Sequence, residues 1–96
     1  MAEVHVIARA VAREGKAAEL KTLLSGLIEP TRAEPGCRFY ELFESDQPGL
    51  FYFHELWQSQ AQLDDHAASR HFIEIFAKAN DLLAGPLEVN LLKPVG

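Results

Sequence analysis

A chain of 96 residues, 48% apolar and 24% charged, makes one domain (residues 1–96) near the small end of what can bury its own core. Its net charge of −5, with acidic and basic residues interspersed, repels phosphate backbones and anionic lipid, so neither nucleic acid nor a membrane surface is an expected partner. The lone Cys37 cannot form an internal disulfide and suits a reducing cytoplasm. No signal peptide is expected, because MAEVHVIARA is broken by His5 and Arg9 and no cleavage site follows.

Residues 3–13 alternate as a strand, with Val4, Val6, Ala8, Ala10 and Ala12 on one side and His5, Ile7, Arg9, Val11 and Arg13 on the other. After Gly15 the period becomes helical: Leu20, Leu23, Leu24, Leu27 and Thr31 form one stripe. Pro30 predicts a kink or loosened turn, and Pro35-Gly36 ends the segment. Two strands, 37–46 and 50–58, flank a turn around Gln47-Pro48-Gly49. Ser59 with Gln62 opens a short helix as a capping box, and Ser69 caps a second whose stripe holds Phe72, Ile75 or Phe76, Ala79 and Leu83. Gly85-Pro86 is a stop, and 87–94 reads as the last strand. The order β-α-β-β-α-β fits an α+β, ferredoxin-like domain with an antiparallel sheet.

The central hairpin predicts a partner. If the turn spans Asp46 to Gly49 or a residue more, an even-sum register pairs Phe43 with Phe53, Glu41 with Glu55 and Phe39 with Trp57, leaving Tyr40, Leu42, Tyr52, His54 and Leu56 on the other face. Both faces are then rich in apolar and aromatic groups, yet a two-layer domain covers only one of them. A second copy of the chain is the expected cover for the other.

The residues Glu34-Pro35-Gly36-Cys37-x-x-Tyr40, Glu55-x-Trp57 with Ser59, His66, and Ser69-x-His71-Phe72 resemble the antibiotic biosynthesis monooxygenase superfamily, closest to its bacterial quinol monooxygenase branch. The resemblance implies a homodimeric α/β barrel, alone or further associated, with a pocket between sheet and helices in each subunit. It also implies a monooxygenase acting with O2 on a quinol-like or polyphenolic substrate, with no metal or flavin cofactor.

Such chemistry needs a base for a phenolic hydroxyl, an apolar cavity for the ring and a closed environment. His66 and His71 are the candidate bases, five residues apart where one helix gives way to the next. Glu55, between Phe53 and Trp57, needs a partner if buried. That partner is either Glu41, making an acid–base pair, or Arg9, Arg38 or Lys93 in a salt bridge. Tyr40, Tyr52, Trp57, Phe72 and Phe76 are the candidate substrate contacts, although a tryptophan at this position is more often a core plug. Cys37 has no local base, and the histidines do not have the i, i+4 spacing of a metal pair on one helix face, so no metal ligand is assigned.

The competing readings are a small-molecule isomerase or a non-catalytic metabolite-binding dimer on the same fold. Haem degradation is disfavoured: where the haem-degrading branch places its asparagine, tryptophan and histidine, this chain aligns Ala8, His66 and Phe76.

Overall fold

The computed structural model describes residues 3–96; residues 1 and 2, which belong to the stretch read above for a signal peptide, lie outside it. Strand β1 (Val4–Val11) leads into α1 (Ala17–Ser25) and the short α2 (Ile28–Arg32). The hairpin β2 (Cys37–Glu44) and β3 (Leu50–Trp57) follows, then α3 (Gln60–Ala67), α4 (Arg70–Ala79) and the edge strand β4 (Glu88–Leu92). The sheet is antiparallel and open, in the order β2-β3-β1-β4, which is the ferredoxin-like arrangement. No helix of the described residues is long and apolar enough to cross a membrane.

The helices cover one face. Val6, Ala8 and Ala10 of β1, Tyr40 of β2 and Phe51, Phe53 and Trp57 of β3 are buried there against Leu20, Leu24 and Leu27, Leu63, Phe76 and Ala79. The alternation expected of β1 is therefore the observed one. The predicted disturbance at Pro30 falls one turn earlier, at Gly26–Leu27 between α1 and α2. Proline lacks the N–H that would meet the Gly26 carbonyl four residues back, and its ring crowds that carbonyl, so the helix parts there. Pro30 itself sits in the first turn of α2, where a missing N–H costs little. Ser59 and Ser69 each cap as expected, accepting from the backbone N–H of Gln62 and Phe72 respectively.

The hairpin register departs from the expectation. Four residues separate Ser45 from Leu50, and the Ser45 N–H bonds the Leu50 carbonyl at 2.8 Å. Glu44 consequently pairs with Phe51, Phe43 with Tyr52, Glu41 with His54 and Tyr40 with Glu55, with a bulge between Cys37 and Phe39. A one-residue offset exchanges the faces of a strand. Tyr40 thus joins Phe53 and Glu55 under the helices, while Phe39, Glu41 and Phe43 join Tyr52, His54 and Leu56 on the open face. Glu41 does not face Glu55; it pairs with Arg32.

Candidate functional site

The site is built around Glu34, in the turn between α2 and β2. Its N–H bonds the Thr31 carbonyl at 3.0 Å, its own carbonyl accepts from Cys37 at 3.2 Å, and the Gly36 carbonyl accepts from Gln58 at 2.8 Å. These bonds tie the turn to the end of β3. Gly36 has φ +88, and a Cβ there would come within 2.6 Å of the Gln62 side chain. Only glycine permits both the backbone conformation and the close approach to α3 that brings Glu34 near His66.

Two histidines meet that carboxylate. His66, in the last turn of α3, places Nδ1 2.8 Å from Glu34 Oε2; His71, in the first turn of α4, places Nε2 2.7 Å from the same oxygen. Ser69 clasps the joint between the two helices. Its hydroxyl donates to the His66 carbonyl at 2.6 Å and lies 3.2 Å from His71 Nε2. With the serine proton committed, the proton between Ser69, His71 and Glu34 belongs to His71 Nε2.

The His66 ring is boxed by aromatic neighbours, with the centroids of Trp57, Phe72 and Tyr40 at 4.7, 5.1 and 5.7 Å. Burial lowers its pKa, and the Glu34 hydrogen bond opposes that shift. A neutral imidazole that donates through Nδ1 carries a lone pair on Nε2, and Nε2 has no hydrogen-bond partner among the described residues. His66 also lines the neighbouring pocket.

That pocket lies between the sheet and helices α3 and α4, with a cavity volume of about 70 Å³. Its walls are mostly apolar, with Phe53, Leu63, Phe72 and Phe76 among them, and its polar side chains are Tyr40, Glu55 and His66. An apolar cavity with a few convergent polar groups is the usual form of a small-molecule site. Ala8, His66 and Phe76, the positions compared above with the haem-degrading branch, all line it.

Glu55 alternates with Phe53 and Trp57 on the covered face, so the E-x-W spacing puts carboxylate and indole side by side. The Trp57 N–H donates to Glu55 Oε1 at 2.9 Å. Within the chain none of the expected salt bridges forms: Arg9 pairs with Glu88, Arg38 with Glu3, and no cation reaches Glu55 among the described residues. Burial pushes its pKa up to about 7, against the lowering effect of the Trp57 bond. Burial, and next the Glu55 charge, also raise the Tyr40 pKa. The Cys37 thiol is raised by burial and then by Glu34, the reverse of what an activated nucleophile needs.

Of the residues expected at the site, His66, Glu55, Tyr40, Phe72 and Phe76 line one pocket. His71 stands behind His66, and Trp57 is fully buried as a core plug that anchors Glu55. Tyr52 lies on the open face, away from the cavity, because it alternates with Phe53 along β3. Glu34 belonged to the recognised motif but had no role assigned. A carboxylate placed directly before a Pro-Gly turn is the signal that could have found it.

The comparisons agree with this architecture. Residues 3–78 match the antibiotic biosynthesis monooxygenase (ABM) family. The chain belongs to that family. It is 40% identical to "Putative monooxygenase Rv0793" of Mycobacterium tuberculosis over 92 residues, which are 96% of this chain and 91% of that protein. The structure of Rv0793 superimposes with a TM-score of 0.92 at 39% identity, covering 99% of this chain and 97% of the other. PA3566 of Pseudomonas aeruginosa matches with a TM-score of 0.91 at 32% identity, covering 100% of this chain and 97% of the other.

Proposed function

We propose that this ABM-family protein is a monooxygenase that oxidises a quinol-like phenol with O2, and that the substrate rather than a cofactor supplies the electrons. The observation that carries the reading is His66, whose Nδ1 lies 2.8 Å from Glu34 Oε2 and whose ring lines an apolar pocket. A carboxylate can only accept, so in this reading the proton sits on Nδ1 and Nε2 is left as the acceptor. Membership of the ABM family and the monooxygenase name of a 40%-identical relative support it.

In this reading a ring enters between Phe53, Phe72 and Phe76, and Nε2 takes its phenolic proton. The electron-rich anion gives an electron to O2, and the pair recombines at a ring carbon. One oxygen atom stays on the ring and the other leaves as water, so a quinol and O2 yield a hydroxyquinone and H2O with no external reductant. The apolar walls keep bulk water from the reduced oxygen species. Glu55, which holds a proton up to about pH 7, returns a proton to the departing oxygen.

Oxygen uptake across a panel of quinols tests this. One O2 consumed per quinol lost is expected. Substrate loss without oxygen uptake would make the protein an isomerase, and binding without loss a metabolite carrier; either result overturns the proposal.

We also infer a homodimer. The open face carries Phe39, Phe43 and Leu92 at 41, 49 and 46% exposure, with Ile7, Tyr52 and Leu56 half-buried between them. Covering this surface with its two-fold mate closes the two sheets into a barrel. Sedimentation should show a dimer at micromolar concentration, and Phe43→Arg should shift it to monomer by placing a charge on that face in both copies. A wild-type monomer would contradict the inference.

A further inference from the structure

Glu34, His66 and His71 do more than orient one another. They come from three separate elements, and their ligand atoms (Glu34 Oε2, His66 Nδ1 and His71 Nε2) all lie within 4.8 Å of one another. Their side chains are 13, 4 and 23% exposed, so the cluster is screened from bulk water yet reachable past His71. Two imidazole nitrogens and one carboxylate oxygen around a common point are donors for a borderline divalent ion such as Zn2+ or Co2+. Mg2+ and Ca2+ prefer oxygen alone.

The two N–H···O bonds to a single oxygen also place both protons where a cation would sit. Each neutral imidazole can clear that place by carrying its proton on the other nitrogen, Nε2 in His66 and Nδ1 in His71. A cation about 2.1 Å from each donor in a tetrahedral arrangement sets the donors about 3.4 Å apart. The Glu34 oxygen and the two nitrogens, now 2.8 and 2.7 Å from it, therefore move slightly apart to admit the ion, a small movement for the more exposed His71.

We propose that Glu34, His66 and His71 form a binding site for a divalent transition-metal ion, and that filling it turns His66 Nε2 from a proton acceptor into a donor toward the pocket. The inference goes beyond the oxygenase reading, which needs Nε2 free, and makes the bound ion an inhibitor of that reaction. Metal-binding histidines usually give their second N–H to a carboxylate or carbonyl. Neither outward nitrogen has such a partner among the described residues, which suits an ion that exchanges rather than one that is locked in.

The test uses chelator-stripped protein, Co2+ as a visible probe and no organic substrate. One Co2+ per chain is expected, displaced by Zn2+ and not by excess Mg2+. Glu34→Gln and His71→Asn should each weaken binding by more than about tenfold, the least that losing even a supporting partner costs. His54→Asn, on the open face, should leave binding unchanged. In wild-type protein Zn2+ should shift the ring-nitrogen resonances of His66 and His71 and spare those of His5 and His54, a readout that does not depend on any variant folding. Absence of a Co2+ band together with unmoved resonances would overturn the proposal, as would shifts confined to His5 and His54 or full affinity in Glu34→Gln. Failure here leaves the oxygenase reading standing, whereas a protein that binds metal but, once stripped of it by chelator, consumes no oxygen with any quinol fails only that reading.

Discussion

Replacing His66 with glutamine should lower turnover of an accepted quinol by about 10²- to 10⁴-fold, the usual contribution of a positioned general base. Glutamine is the discriminating choice because His66 is buried among Trp57, Phe72 and Tyr40. Alanine would open a cavity and confuse lost chemistry with lost packing. The glutamine amide can still donate to Glu34 and fill much of the ring's volume, but it has no basic nitrogen to face the pocket. Circular dichroism and substrate binding should therefore stay close to wild type while turnover falls. The double replacement of His66 and His71 by alanine should also abolish turnover. If His66→Gln retains turnover within a few-fold of wild type, another group takes the phenolic proton.

The second large effect concerns stability. Glu55 rises from an ordinary value of 4.5 to about 7 in the folded chain, chiefly through burial. Between those values the folded state holds a proton that the unfolded state has released. Its stabilising contribution is thus complete below about pH 4.5, declines as pH rises, and is gone above pH 7. A difference of this size corresponds to about 3 kcal/mol. Glu55→Gln keeps an acceptor for the Trp57 N–H and cannot ionise. It should match wild type near pH 4 and exceed it at pH 8 by up to about that amount. Urea unfolding at the two pH values, at one fixed protein concentration, measures the difference. Stability profiles that run parallel for the two proteins would show that Glu55 is charged in the folded state near neutrality, and that its environment is wetter than described.

Much of the fold was legible in the residues. The period-2 pattern of β1, the helical stripe of Leu20, Leu24 and Leu27, and the serines capping α3 and α4 rest on local rules that tertiary packing did not override. The hairpin register was not legible, because it turns on loop length: four residues between Ser45 and Leu50 rather than three or five move every side chain of one strand to the other face. That single offset explains why Tyr40 enters the pocket and why Glu41 never meets Glu55; Tyr52 stays outside because it alternates with Phe53 along β3. At the site, the histidines stood out by residue type and Glu55 by its apolar flanks. Glu34 did not, because its importance arises from convergence: His66 and His71, 32 and 37 positions beyond it in the chain, share its carboxylate oxygen only after the Gly36 turn packs on α3.

Nitrogen NMR of the histidine rings in metal-free protein near neutral pH tests the account at its root. His66 should carry its proton on Nδ1 and show an unprotonated Nε2, and Glu34→Gln should erode that preference. A His66 ring protonated on Nε2, or one whose tautomer ignores the loss of the Glu34 carboxylate, would contradict it.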